Sequence, residues 1–70
     1  RMTYQEKQEW ASIEGDIATL ENRIAAIEEE MQANGSDFGK LATLQKELDE
    51  KNEALLEKYE RYEYLSEFDS

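Results

Sequence analysis

The chain has 70 residues, with 8 Lys and Arg against 18 Asp and Glu and a formal net charge of −10 at pH 7. That length holds one small domain with little buried core, and the charge opposes tight contact with phosphate backbones and with anionic membrane surfaces. Cysteine and histidine are both absent, which removes disulfides, thiolate metal sites and the usual general base. No apolar run approaches the roughly 20 residues that span a bilayer, so no membrane partner is expected. The opening "RMTYQEKQEW" lacks the apolar centre of a signal peptide, and a reducing cytoplasm fits the composition. Arg1 directly before Met2 reads as a cut within a longer chain, so a domain excised from a larger protein is expected.

The first element is announced by Thr3-x-x-Glu6, the pattern in which a Thr hydroxyl and a Glu carboxylate satisfy each other's backbone N–H at a helix start. Trp10, Ile13, Ile17, Leu20, Ile24, Ile27 and Met31 follow at steps of three and four. That 3.5-residue repeat keeps an apolar stripe on one side of a helix and winds it into a supercoil with a partner. A helix over 4–33 is predicted. Gly15 falls off the stripe and weakens the helix locally by about 1 kcal/mol relative to Ala.

A turn is predicted over 34–37. Asn34 and Gly35 tolerate the left-handed backbone that helix ends commonly need, and Ser36 or Asp37 supplies the N-cap of a second helix. Phe38 is expected to fold back on Met31 and close the tip. Lys40 is placed to relieve Glu28, Glu29 and Glu30, which crowd the negative end of the first helix dipole. Those three adjacent carboxylates point in different directions and read as a solvated face, not a metal site.

A second helix is predicted over 38–65, with a tail over 66–70. Its stripe runs Leu41, Leu44, Leu48, then Leu55, Tyr59 and Tyr62. The heptad meets Lys at 51 and 58, and reading Asn52 as the seam residue introduces an inserted step of four that unwinds the supercoil locally. The i,i+4 pairs Lys46–Glu50, Glu47–Lys51 and Glu57–Arg61 support an exposed helix. A connection this short makes the two helices antiparallel neighbours. The fold class is therefore all-α, a two-helix antiparallel coiled-coil hairpin. Apolar layers match best when facing residue numbers sum to about 75, which sets Ile27 against Leu48, Leu20 against Leu55 and Ile13 against Tyr62.

The foot of this rod gathers Tyr4, Trp10, Tyr59, Tyr62, Tyr64, Leu65 and Phe68. Rings filling the wide end of the hairpin are the plain reading; a stacking surface for nucleic-acid bases is the sharper one. Arg1, Lys7, Lys58 and Arg61 lie at the same end and are the candidate phosphate contacts, among the carboxylates Glu6, Glu9, Glu57, Glu60, Glu63, Glu67 and Asp69, which leave the local charge negative. Catalysis is not expected: there is no phosphate-binding glycine loop, and Ser12, Ser36 and Ser66 have no histidine to activate them. No cofactor is expected in these residues.

The order of motifs resembles a known family. The start "MTYQEKQEW-xx-IE-xx-I-xx-LE", Met2 to Glu21, and "GSDFGKL", Gly35 to Leu41, are similar to the C-terminal coiled-coil domain of ABC-F ATPases, most of all the Uup-like branch. The resemblance covers essentially the whole chain. It implies that two ATP-binding cassettes precede this domain, that ATP and Mg belong to those cassettes, and that the parent acts on ribosomes in translation. It also implies contact with ribosomal RNA or DNA, carried here by Arg1, Lys7, Lys58 and Arg61, and packing against the parent's own cassettes. A spacer or self-associating coil is the alternative, with a monomer expected and a dimer as its rival.

Overall fold

In the computed structural model, which describes residues 1–69, helix α1 spans Tyr4–Ala33 and helix α2 spans Phe38–Ser66. A short 3-10 turn follows over Glu67–Asp69, so most of the expected tail is ordered turn; Ser70 lies outside the described residues. The helices pack antiparallel into a rod 52 Å long and 17 by 14 Å across. No described residue is in a strand.

The start of α1 follows from its capping box. The Thr3 backbone N–H donates to Glu6 Oε1 at 2.8 Å, and the Glu6 N–H donates to Thr3 Oγ1 at 3.1 Å. At the other end, the Asn34 side-chain amide donates to the Glu30 carbonyl at 2.7 Å, and its backbone N–H reaches the Glu30 and Met31 carbonyls. Asn34 thus satisfies the open carbonyls twice, and the turn needs no left-handed residue: no described residue has positive φ. The left-handed role expected of Asn34 and Gly35 is corrected accordingly. Asp37, not Ser36, caps α2, its carboxylate accepting from the Lys40 N–H at 3.0 Å.

The seam buries Ile13, Ile27, Leu44 and Leu65, with the other stripe residues half-buried except Tyr59, which was expected in the stripe and is 44% exposed. In α2 the heptad does not break. Asn52 is exposed, while Lys51 and Lys58 are half-buried, so the expected stutter at Asn52 is absent. A lysine holds a seam position by laying its methylenes along the apolar surface and carrying its ammonium to the rim. Lys58 does this and ends 3.3 Å from Asp16 Oδ2. The antiparallel register is displaced from the expected sum of 75: Glu9–Arg61 and Arg23–Glu47 sum to 70, Trp10–Tyr62 to 72 and Asp16–Lys58 to 74, so Tyr62 packs on Trp10 where Ile13 was expected.

The tip differs from expectation. Phe38 is 80% exposed and does not close it, because the first residue of α2 faces away from a seam that begins at Leu41. Lys40 pairs with no described carboxylate, and Arg23 instead lies 3.7 Å from Glu30.

Two sets of substitutions check this packing by thermal melts followed by circular dichroism. Leu65→Ala removes a fully buried side chain and is expected to cost about 2–5 kcal/mol, whereas Leu56→Ala stays within about 0.5 kcal/mol. Lys51→Leu extends the apolar seam and is expected to gain about 1 kcal/mol, a rise of about 4–8 °C in Tm for a domain of this size. Asn52→Leu produces no such rise.

Candidate functional site

Charge and rings are sorted along the rod by position in the heptad. Glu9, Asp16 and Arg23 recur every seven residues on α1 and line one flank of the seam. Each has a partner on α2. Arg61 donates from Nε and Nη2 to the two Glu9 carboxylate oxygens at 2.8 Å each. Arg23 forms the same two-point contact with Glu47, also at 2.8 Å, and Lys58 meets Asp16. Two of the three expected i,i+4 pairs, Glu47–Lys51 and Glu57–Arg61, are displaced, since Glu47 and Arg61 turn across the seam to these partners. An arginine fork held by both carboxylate oxygens has a fixed geometry that a flexible same-helix lysine pair lacks.

These contacts shift titration in a consistent direction. The Arg61 hydrogen bonds hold the Glu9 carboxyl below the usual glutamate range, and those of Arg23 do the same for Glu47. Each carboxylate in turn raises its arginine partner. Glu6 is lowered first by the Thr3 backbone N–H and then by the Tyr64 hydroxyl, 3.0 Å away. Hydrogen bonds to carboxylates raise the phenols of Tyr59, through Glu21, and Tyr64, through Glu6.

The aromatic foot resolves into two ring pairs. Trp10 and Tyr62 pack across the seam with centroids 5.2 Å apart at 35°. Tyr64 and Phe68 meet edge to face, also at 5.2 Å, because the 3-10 turn brings Phe68 back over the end of α2. Arg61 lies over the Tyr64 ring, 4.9 Å from its centroid. Ring pairs of this kind contribute about 0.5–1.5 kcal/mol each beyond the area they bury. Two predicted members stand apart. Tyr4 is 75% exposed, since six residues before Trp10 is off the 3–4 spacing and turns its ring away from the seam. Tyr59 lies higher on the rod, on the flank opposite the ion pairs, donating its hydroxyl to Glu21.

The four candidate cations therefore divide. Lys58 and Arg61 are held by Asp16 and Glu9. Arg1 and Lys7 are exposed and have no ion pair with another described residue. Lys7 lies one turn beyond Tyr4 on the same face of α1, and Arg1 stands just before the helix. The flank opposite the ion pairs escaped the reading of the sequence. Its signal was present, in the seven-residue spacing of Glu14, Glu21 and Glu28, but a run of acidic positions reads as solvated until the opposite helix is seen to offer no cation.

The geometry defines the class of module: a two-helix antiparallel coil with interhelical ion pairs and a ring-packed foot. The chain matches the ABC transporter C-terminal domain over residues 1–67 and belongs to that family. It is similar to the "Uncharacterized ABC transporter ATP-binding protein YfmR" of Bacillus subtilis (strain 168), at 36% identity over 66 residues. The alignment covers 94% of this chain and 10% of the relative, so the chain spans about a tenth of the length of the curated relative it matches. No solved structure matches it. The domain is thus a C-terminal accessory of an ABC ATP-binding protein and does not contain the ATPase cassette. Among the described residues no helix is long and apolar enough to cross a membrane.

The Glu9–Arg61 contact predicts a pH signature. A carboxyl lowered in the folded state contributes stability above its unfolded pKa and loses it as pH falls through the folded value. Glu9→Gln is therefore expected to melt below the parent at neutral pH. The difference should shrink as pH falls through the lowered folded-state value of the Glu9 carboxyl and is lost once that carboxyl is protonated, and it should also shrink in high salt. Melts of the two proteins across pH check this.

Proposed function

We propose that this domain is the accessory arm of a cytoplasmic ABC-F ATP-binding protein of the Uup-like branch, helping the parent engage ribosomal RNA or other nucleic acid. ATP and Mg are held by the parent's cassettes, against which the arm is anchored, and the arm itself is monomeric. Family membership supports the accessory role. The nucleic-acid part rests on one observation: Tyr4, 75% exposed and unstacked, stands between Arg1 and Lys7, the two foot cations not held in an ion pair. An open ring flanked by free cations suits a single strand, with a base on the ring and phosphates on the two charges. Duplex DNA offers no such base face, and the net charge of −10 opposes its phosphate density.

Anisotropy of a labelled single-stranded RNA across a salt series tests this. Binding is expected at low salt only. A contact through two cations gives a slope of log affinity against log salt near −1.4, from about −0.7 per phosphate on a single strand. Tyr4→Ala and Lys7→Glu each weaken binding, and Lys58→Met does not. Absence of any binding at low ionic strength removes direct nucleic-acid contact by this domain.

A further inference from the structure

On the flank of the seam opposite the ion pairs, an open groove of about 300 Å³ is lined by Glu14, Ile17, Tyr59 and Tyr62. Its floor is apolar, and Leu56, 60% exposed one turn before Tyr59, extends that surface outward along α2. On α1, Glu14 borders the groove, and Glu21 and Glu28 continue the same seven-residue row beyond it. None of the three forms an ion pair with a described residue, and the α2 side chains opposite are uncharged there: Tyr59 gives Glu21 a hydrogen bond and Leu56 gives nothing. The contrast with the other flank, where Glu9, Asp16 and Arg23 all find partners on α2, shows that the hairpin satisfies one flank from within and leaves the other open.

Charge and spacing define what fits. A second copy of this chain brings another −10 and is repelled by the rim, as is a phosphate backbone. The carboxylates recur every seven residues, about 10.5 Å along the helix axis, which is the repeat at which one face of a third coiled-coil strand returns to the same partner. We infer that this groove docks a basic amphipathic helix of a protein partner. Its apolar stripe packs on Ile17, Leu56, Tyr59 and Tyr62, and its Lys or Arg side chains, seven residues apart, face Glu14, Glu21 and Glu28. The hairpin then forms two strands of a three-helix coil. This site is separate from the Arg1, Tyr4 and Lys7 face, and neither reading depends on the other.

A synthetic peptide of about three heptads, with leucine on its apolar stripe and lysine once per heptad beside it, is titrated into the labelled domain. A second peptide of identical composition carries the lysines at irregular spacing. Saturable one-to-one binding is expected for the first, at least about tenfold tighter than for the second. Leu56→Glu abolishes it. Glu14→Lys with Glu21→Lys weakens it by about tenfold or more, because two attractions become two repulsions; both positions are exposed, and helicity by circular dichroism confirms that the variants fold. Tyr4→Ala leaves peptide binding unchanged. Equal affinity for the two peptides, no loss in the charge-reversed variant, or no binding at all overturns the proposal. So does a domain that dimerises in sedimentation through the same groove, with the dimer lost in Leu56→Glu, since the occupant is then a second copy. Single-stranded RNA that competes with the peptide for the groove also overturns it.

Discussion

The aliphatic seam sets everything else in this rod. Ile13, Ile27, Leu44 and Leu65 are its buried residues, and two helices can surround a side chain on only part of its circumference. A core so thin leaves each seam position with unusual weight and makes the seam's edges, in place of a deep interior, the sites where further contacts are made. Arg61, Lys58 and Arg23 lie along one such edge and close it with charge. The foot closes with rings, Trp10 on Tyr62 and Phe68 on Tyr64. Neither device adds much alone; both restrict the sliding of one helix past the other, which a stripe of interchangeable aliphatic residues does not.

Lysine in the seam illustrates how the chain keeps its register at some loss of apolar burial. Lys51 and Lys58 hold heptad positions that leucine would fill more favourably. Lys58 meets Asp16 across the seam, a pairing that fits one alignment of the helices and is lost when they shift by a layer. A polar residue at such a position narrows the set of acceptable partners and alignments. The cap residues act in the same sense at the ends, since Thr3 with Glu6, Asn34 and Asp37 fix where each helix begins or stops to within a residue.

The architecture was legible in the sequence because it rests on period. Trp10 to Met31 and Leu41 to Leu48 repeat at steps of three and four, and that spacing determines a stripe whatever the rotamers are. What was not legible depends on choices that spacing leaves open. Glu47 has Lys51 one turn away and Arg23 across the seam; the planar fork of the arginine decides it, and a one-dimensional pattern does not weigh that geometry. Asn52 looked like the polar seam residue because a lysine in a seam appears costly until its methylenes are counted as apolar. Phe38 and Tyr4 were drawn toward the interior by their size, yet both sit at a first helical position off the stripe, where angular position overrides hydrophobicity. Of the four candidate cations at the foot, sequence proximity grouped them, and the heptad separated them into two that are held and two that are free.

The unequal flanks bear on how an acidic rod can serve a partner at all. A net charge of −10 spread evenly would repel phosphates from every side and offer no preferred face. Here the cations are not spread evenly. Arg23, Lys58 and Arg61 are consumed on one flank, which makes that side close to neutral and structurally committed. The opposite flank keeps Glu14, Glu21 and Glu28 uncompensated beside exposed Leu56 and Tyr59, and Arg1 and Lys7 remain free at the foot. Internal pairing thus removes Arg23, Lys58 and Arg61 as potential phosphate contacts and leaves uncompensated carboxylates on the side where apolar surface is also open. A binding face that combines both is selective in a way that neither gives alone: apolar surface without charge accepts any greasy segment, and charge without apolar surface accepts any cation. The folding interaction and the recognition surface are in this sense the same decision, taken by which glutamates find an arginine across the seam and which do not.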